Sequence, residues 1–258
     1  MMDSFCSYED KVALLTGAAG HIAATTTRLL ASRGAKISVV ERPGVPLDAF
    51  DADIPADHLL KLEADATNPE HVQAYVQATL DRFGKIDLYF NAAGVAGPVK
   101  RIAEYPVEDY LTVMNVNALG VFLGLKYVIP VMEKQGRGVI INAASAAGLR
   151  GSKFVSAYSA SKHAVIALTK VAANESAANG VRVVAVAPGP VDSPMFDGHM
   201  REQTADIDNF REIAATRIPQ GRIATGEDIA NLVCFLGSDQ ASYLNGAVYQ
   251  VDGALMAS

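Results

Sequence analysis

The chain has 258 residues, 50% of them apolar, and its 22 Lys and Arg against 28 Asp and Glu leave a net charge of −6. That length suits one α/β domain with an ample core, and the acidic balance argues against a polyanion-binding surface, so no nucleic-acid partner is expected. Two cysteines, Cys6 and Cys234, imply no disulfide framework and suit a reducing compartment.

Asp3, Glu9 and Asp10 stand where a signal peptide would be basic, and no apolar run reaches the length of about 18 residues that a spanning helix needs. The expectation is a cytoplasmic protein with no membrane partner.

Short β-branched runs at 11–16, 36–41, 58–63, 86–91, 138–144, 181–187 and 247–251 predict seven strands. Most are apolar on both faces, which suits a parallel sheet covered by helices on either side. Helical patterns fill the gaps at 21–33, 69–82, 107–134, 155–178 and 226–237. The alternation predicts an α/β fold, a doubly wound parallel sheet in a single domain, since no linker, charge block or repeat divides the chain. One stretch, 188–225, lacks a strand and carries a short helical pattern; a loop of that length is usually functional.

The first predicted strand runs into Thr16-Gly17-Ala18-Ala19-Gly20-His21-Ile22-Ala23. A glycine-rich turn leading into a helix lets phosphates approach the backbone and the positive helix end. Such turns also occur in α/β proteins that bind no dinucleotide. Glu41, at the end of the second strand, is placed to accept ribose hydroxyls and repel a 2′-phosphate, which favours NAD over NADP. It can equally be a solvated strand end, and Arg42 beside it can pair with a phosphate. Asp65 suits an adenine contact or a turn cap.

Tyr158 and Lys162 lie four apart in a helical segment and so share one face. A tyrosine is a poor acid or base at neutral pH, and a fixed ammonium nearby favours its phenolate. Ser145, just past the fifth predicted strand, Asn117 in the helix before it, and Asn91-Ala92-Ala93-Gly94 at the end of the fourth strand converge on the same rim, where doubly wound sheets bind ligands. His58, His71, His163 and His199 have no metal-ligand spacing, and no metal is expected.

In this ordered set, with Pro188 to Met195 and Val251-Asp252-Gly253 added, the sequence resembles the short-chain dehydrogenase/reductase family over nearly its whole length. The resemblance implies a Rossmann-like fold with seven parallel strands and hydride transfer between a nicotinamide and a carbonyl or secondary alcohol. It implies Tyr158 as general acid/base, Ser145 on the substrate oxygen, Lys162 lowering the tyrosine pKa and binding the nicotinamide ribose, and Asn117 holding a water in a proton relay.

The cofactor would meet Gly17, His21 and Ile22 at the pyrophosphate turn, Glu41 at the ribose, Asp65 and Ala66 at the adenine, Asn91 and Gly94 along the adenosine side, and Pro188, Val191 and Ser193 near the carboxamide. Val95, Leu149, Phe154, Met195, Phe196 and Met200 would line an apolar substrate pocket, or pack the late loop against the body. Arg150 and Lys153 would meet an acidic substrate group or lie in a solvated turn.

By the same resemblance, residues 1–100 mainly bind nucleotide, 101–187 hold the catalytic residues, 188–225 form a substrate loop and 226–258 a C-terminal helix and strand. Stretches of the sequence look like reductases of cyclic ketones, and the family usually forms homotetramers or homodimers. Two alternatives are an NADPH-dependent ketoreductase of carrier-bound acyl chains and a non-catalytic dinucleotide sensor. The chain departs from the family's turn at His21 and Ala23, where glycines are usual.

Overall fold

A computed structural model describes residues 6–202 and 206–257, save the side chains of His199, Met200 and residues 207–210. Seven strands form one parallel sheet in the order β3-β2-β1-β4-β5-β6-β7: β1 (Val12–Thr16), β2 (Lys36–Glu41), β3 (Leu59–Glu63), β4 (Leu88–Asn91), β5 (Gly138–Ala143), β6 (Val181–Pro188) and β7 (Val248–Val251). The expected α/β class, strand number and parallel sense are all present. The chain winds outward from β1 to β3, then returns to continue from β4 on the other side, which opens a crevice between the carboxyl ends of β1 and β4.

The sheet is held between two apolar layers. Leu15, Leu30, Ile37, Phe90, Ile141, Val184 and Val233 pack on one side; Leu14, Tyr89, Val128, Met132, Ile140, Val165 and Val183 pack on the other. Helices α1 (His21–Ser32) and α8 (Gly226–Gly237) serve the first layer, and α2 (Pro69–Phe83), α4 (Gly120–Gln135) and α5 (Ser156–Ser176) the second.

Local chemistry sets their ends. Asn68 accepts from the His71 amide at 3.1 Å, with Pro69 in the first turn, and Gly84 closes α2 in the left-handed conformation. At α8, Thr225 and Asp228 form a reciprocal capping box, which Arg222 braces at 2.6 and 2.8 Å.

Across the carboxyl end of the sheet, Thr16, Asn91 and Asn142 stand in register on β1, β4 and β5. All three are buried, so each must find partners inside the protein. Thr16 Oγ1 donates to Asn91 Oδ1 at 3.4 Å and accepts from the Ala92 and Ala93 amides at 3.1 and 3.3 Å. Asn91 Nδ2 donates to the Val121 carbonyl at 3.2 Å, and Asn142 Nδ2 to Thr169 Oγ1 of α5 at 2.9 Å. This polar row fixes the loops that carry the site.

The helix expected over 107–134 is interrupted. It comprises α3 (Val107–Met114), a wide π-turn over Asn115–Leu119 and α4. By length and composition alone the continuous Val107–Gln135 span is apolar enough to cross a membrane, although no unbroken apolar run occurs. Its buried side chains, among them Val121, Leu123, Val128 and Met132, instead pack into the second core layer. The late loop is also more regular than expected, with α6 (Pro194–Arg201) and α7 (Ile207–Thr216) inside it.

Candidate active site

A cleft of about 610 Å³ opens over the carboxyl ends of β1, β2 and β4. Gly17, His21, Ile22, Glu41, Asp65, Ala66 and Gly94 all line it, as the sequence led one to expect. Gly17 has φ +63°, and a Cβ there would lie 2.7 Å from Ala93 Cα, so only glycine lets the first turn lie against the β4 loop. Gly20 caps α1 without a side-chain bond, which leaves the first helical amides free to meet an anion.

The two departures from the usual turn are absorbed in different ways. Ala23 is buried on the core face of α1, while the His21 imidazole is exposed to the cleft and sits against α8, 3.0 Å from where a Cβ on Gly226 would stand. Glycine at 226 thus makes the room that histidine at 21 needs.

Glu41 is half-buried, and its two oxygens accept from the Ala19 amide at 3.1 Å and the Arg42 amide at 3.0 Å. Its charge is thereby held at the cleft edge and tied to the glycine-rich turn. Asp65 behaves partly as a turn cap: its Oδ1 accepts from the Thr67 amide and hydroxyl, both at 2.8 Å.

Asn91 is 2% exposed and belongs to the polar row, so it shapes the cleft from beneath without lining it. Pro188 and Val191 are likewise buried and outside the lining. Ser193 does line it, but its hydroxyl donates to the Val191 carbonyl at 3.2 Å and accepts from the Phe196 amide at 3.3 Å, the bond that starts α6.

The inner end of the cleft carries Ala143, Gly94 and Val95; Lys162 and Asn117 lie against these residues, and none of Asn117, Ser145, Tyr158 and Lys162 is itself part of the lining. Lys162 is 5% exposed; its Nζ donates to the Ala143 carbonyl at 2.7 Å and lies 5.6 Å from the centre of the Tyr158 ring. A Cβ on Gly94 would approach Lys162 Nζ to 3.6 Å and Asn117 Oδ1 to 3.2 Å, so glycine here lets the β4 loop lie close to both groups. Gly148 acts similarly on the other side: a Cβ would stand 2.7 Å from the Lys162 carbonyl, and its absence lets the Ser145 loop rest on α5.

Ser145 hydrogen-bonds the Tyr158 hydroxyl and also accepts from the Ala147 amide at 3.1 Å. Burial pushes the Tyr158 pKa above its usual value, and the Ser145 bond only partly opposes this. Desolvation also pulls Lys162 itself from 10.5 down to about 8.

Asn117 is fully buried within the π-turn. Its Nδ2 donates to the Val95 carbonyl at 2.8 Å and to Ser161 Oγ at 3.0 Å, while its Oδ1 accepts from the Val95 amide at 2.8 Å. Ser161 Oγ in turn donates to the Tyr158 carbonyl at 2.8 Å. The side-chain amide ties the β4 loop to the helix of Tyr158. A π-turn at such a junction is typical of functional sites.

Of the expected substrate contacts, Val95 and Met195 line the cleft and are 37% and 45% exposed. Leu149 packs into the second core layer, Phe154 stands exposed on the loop before α5, and Phe196 is partly buried on α6. The Met200 side chain falls outside the described residues. Sequence reasoning missed Glu202, whose Oε2 accepts from the Val99 amide at 2.7 Å and ties the late loop to the loop after β4. It missed Ser161 and Thr16 as well. Only the π-turn and the sheet register bring these residues to the site, and neither is visible in local spacing.

Between pH 8 and 10.5 the unfolded chain keeps a proton that buried Lys162 has released, so the amine makes stability rise with pH in that window. Relative to Lys162→Met, the unfolding free energy of the parent should rise by an amount on the order of 2 kcal/mol from pH 7.5 to 10. Urea denaturation at both pH values checks this; parallel pH profiles would contradict it.

Comparison with known proteins agrees with the geometry. Residues 17–255 match the family model described as enoyl-(acyl carrier protein) reductase. Levodione reductase from Leifsonia aquatica is 37% identical over 258 residues, covering 97% of this chain and 96% of that one, and a crystal structure of levodione reductase, 37% identical, superposes with a TM-score of 0.92 over 97% and 99% of the two chains. Cyclohexanol dehydrogenase from Acinetobacter sp. (strain SE19) is 36% identical over 96% of this chain and 95% of its own. A structure of NAD+-bound xylitol dehydrogenase, 32% identical, reaches a TM-score of 0.89 over 97% of this chain and all of its own. With the sheet order, the glycine-rich turn and the Ser145, Tyr158 and Lys162 cluster in place, the chain belongs to the short-chain dehydrogenase/reductase family.

Proposed function

We propose that this protein is an NAD-dependent oxidoreductase that interconverts a cyclic or bulky secondary alcohol and its ketone. The observation that carries the reading is the convergence of Ser145, Tyr158 and Lys162 on the inner end of a cleft whose outer end is a helix N-terminus and a fixed carboxylate. Levodione reductase and cyclohexanol dehydrogenase, two relatives, are named for cyclic substrates.

The residues fit a dinucleotide. The uncapped amides of α1 would hold the pyrophosphate, and Gly17 and Gly20 keep side chains out of its way. Glu41 would accept the adenosine ribose hydroxyls and repel a 2′-phosphate, which makes NAD the expected cofactor; Arg42 shares that rim. Asp65 and Ala66 would flank the adenine. When bound, the nicotinamide donates or accepts the hydride.

The chain's own groups handle the proton. In the reducing direction Tyr158 Oη donates its proton to the developing alkoxide, and Ser145 donates a hydrogen bond to the same oxygen. Lys162, protonated below about pH 8, is the cation near the phenolate that remains and would also reach the nicotinamide ribose. Asn117 and Ser161 hold α5 in register with the Val95 loop and so act as positioning residues. Met195 and Val95 would give the reacting ring an apolar wall.

Residues 1–100 on this view serve mainly the nucleotide, 101–187 the proton chemistry and 188–225 the substrate. A cytoplasmic homotetramer or homodimer fits the exposed apolar side chains Leu111, Phe122 and Tyr243.

Two substitutions test the reading. Tyr158→Phe should leave NADH binding, followed by its fluorescence, close to normal while cyclohexanol oxidation falls by about 10² to 10⁴; near-normal turnover would refute the assigned role. Glu41→Ala should raise the ratio of NADP to NAD use on the order of tenfold, read from kcat/KM for each cofactor; an unchanged ratio would contradict the ribose contact.

A further inference from the structure

The turn from β3 into α2 forms one wall of the cleft, which Asp65, Ala66 and Thr67 all line. Short bonds give it shape. The Asp65 carboxylate accepts from the Thr67 amide and hydroxyl, and the Asn68 amide donates to the Asp65 carbonyl at 3.1 Å. The turn rests on the start of α4, where a Cβ on Gly120 would stand 3.4 Å from the Ala66 carbonyl. A further tie comes from α2. His71 Nδ1 accepts from the Asp65 amide at 3.2 Å, while the His71 amide donates to Asn68 Oδ1 at 3.1 Å. A histidine that does not itself line the cleft thus holds the chain that does.

The chemistry of this tie is one-sided. A backbone amide can only donate, so Nδ1 is the acceptor and the ring is neutral, with its proton on Nε2. Protonation puts a hydrogen on Nδ1 and sets donor against donor. Thr67 and Asn68, the other side chains that hold or cap the turn, do not titrate, and carboxyl groups such as that of Asp65 ordinarily titrate far below neutrality.

The charged groups around the ring leave it unpaired. Of the elements packed on α2, β2 carries Glu41, β3 Glu63 and α4 Lys126 nearest this end, and Glu70 precedes His71 on α2 itself. Glu41 is held by the Ala19 and Arg42 amides. Among the described residues, none of these groups, nor Asp65, forms an ion pair with His71.

We propose that His71 is a positioning residue for the cofactor: neutral, it holds the turn from Asp65 to Thr67 in the shape that receives the adenine, and on protonation it releases the turn and weakens cofactor binding. This rests on the proposed function for the identity of the ligand and adds an acid-sensitive control of its affinity. A cofactor that binds the ordered turn favours the neutral ring, so affinity is full above histidine's titration range and falls as pH drops through it. The bond is exposed, so water partly replaces it and the effect is a few-fold. The rival reading makes the ring incidental to helix capping. In that case Asn68 secures α2 by itself, and losing the ring acceptor leaves cofactor binding unchanged.

The test compares the parent with His71→Asn, whose Oδ1 stands where Nδ1 does and accepts without titrating, and with His71→Ala, which has no acceptor. NADH affinity of the full chain would be followed by cofactor fluorescence at pH 5.5 and 8, on either side of the range in which histidine ordinarily changes charge. Hydrogen exchange of residues 64–67, read by mass spectrometry without cofactor, would be measured at the same two pH values. At pH 8 the parent and His71→Asn should bind NADH alike, and His71→Ala about threefold more weakly. At pH 5.5 the parent should fall to the affinity of His71→Ala, about threefold below His71→Asn. Exchange should be fastest in whichever chain lacks the acceptor. His21 and the other titratable groups of the cleft are common to all three chains, so the comparison is between chains at one pH. A parent that matches His71→Asn at pH 5.5 in both measurements would overturn the inference, as would His71→Ala binding NADH like the parent at pH 8. NADH bound by none of the chains would count against the proposed function, and the exchange of residues 64–67 would still decide whether His71 releases the turn.

Discussion

One ammonium sets the terms for the rest of the structure. Lys162 sits where water scarcely reaches, and burial lowers its pKa to about 8, which measures how unfavourable the place is for a charge. Its Nζ has one carbonyl, that of Ala143, at hydrogen-bond distance, and glycine at 94 leaves room beside it. The surroundings must therefore be arranged so that the ammonium stays, faces Tyr158 and keeps access to the cleft. The end of β5 supplies the carbonyl, α5 supplies the lysine and tyrosine from one face, and the absent Cβ at Gly148 lets the Ser145 loop close over them.

The same logic runs outward. Thr16, Asn91 and Asn142 form a buried polar row whose hydrogen bonds pin the loops after β1 and β4 and the body of α5, although Asn142 Oδ1 finds no partner. Asn117 repeats the device one layer further on, with Val95 on one side and Ser161 on the other. Ser145, Tyr158 and Lys162 are thus positioned by surrounding buried polar contacts, on a sheet held between two apolar layers.

Much of the architecture could be read from the chain. Parallel strands buried on both faces announce themselves as apolar β-branched runs, so all seven strands and their class were legible, with ends shifted by a residue or two where a side chain such as Asp87 takes the first ladder position. Gly17, Glu41, Tyr158 and Lys162 were legible because turn chemistry and helical spacing are local. What depends on three dimensions was not. The π-turn at Asn115–Leu119 has no local signature, and so the engagement of the Asn117 amide by Val95 and Ser161 could not be read from spacing. Asn91 looked like a cleft residue because it closes a strand, but register turns it under the floor. Leu149, read as lining a pocket or packing against the body, is partly buried and packs against the second core layer. Of the late stretch 188–225 the sequence disclosed a short helical pattern but not its division into helices at 194–201 and 207–216, which Gly, Pro and charge obscure.

The central claim is that Tyr158 and Ser145 steady an oxygen while hydride passes between its carbon and a nicotinamide held in the cleft. The most direct measurement follows that hydrogen. Cyclohexanol deuterated at the carbinol carbon would be incubated with the protein and NAD, and the reduced cofactor examined by mass spectrometry. The account predicts deuterium in the reduced cofactor, one for each ketone formed. Reduced cofactor without label, or ketone formed with the label lost to water, would contradict it.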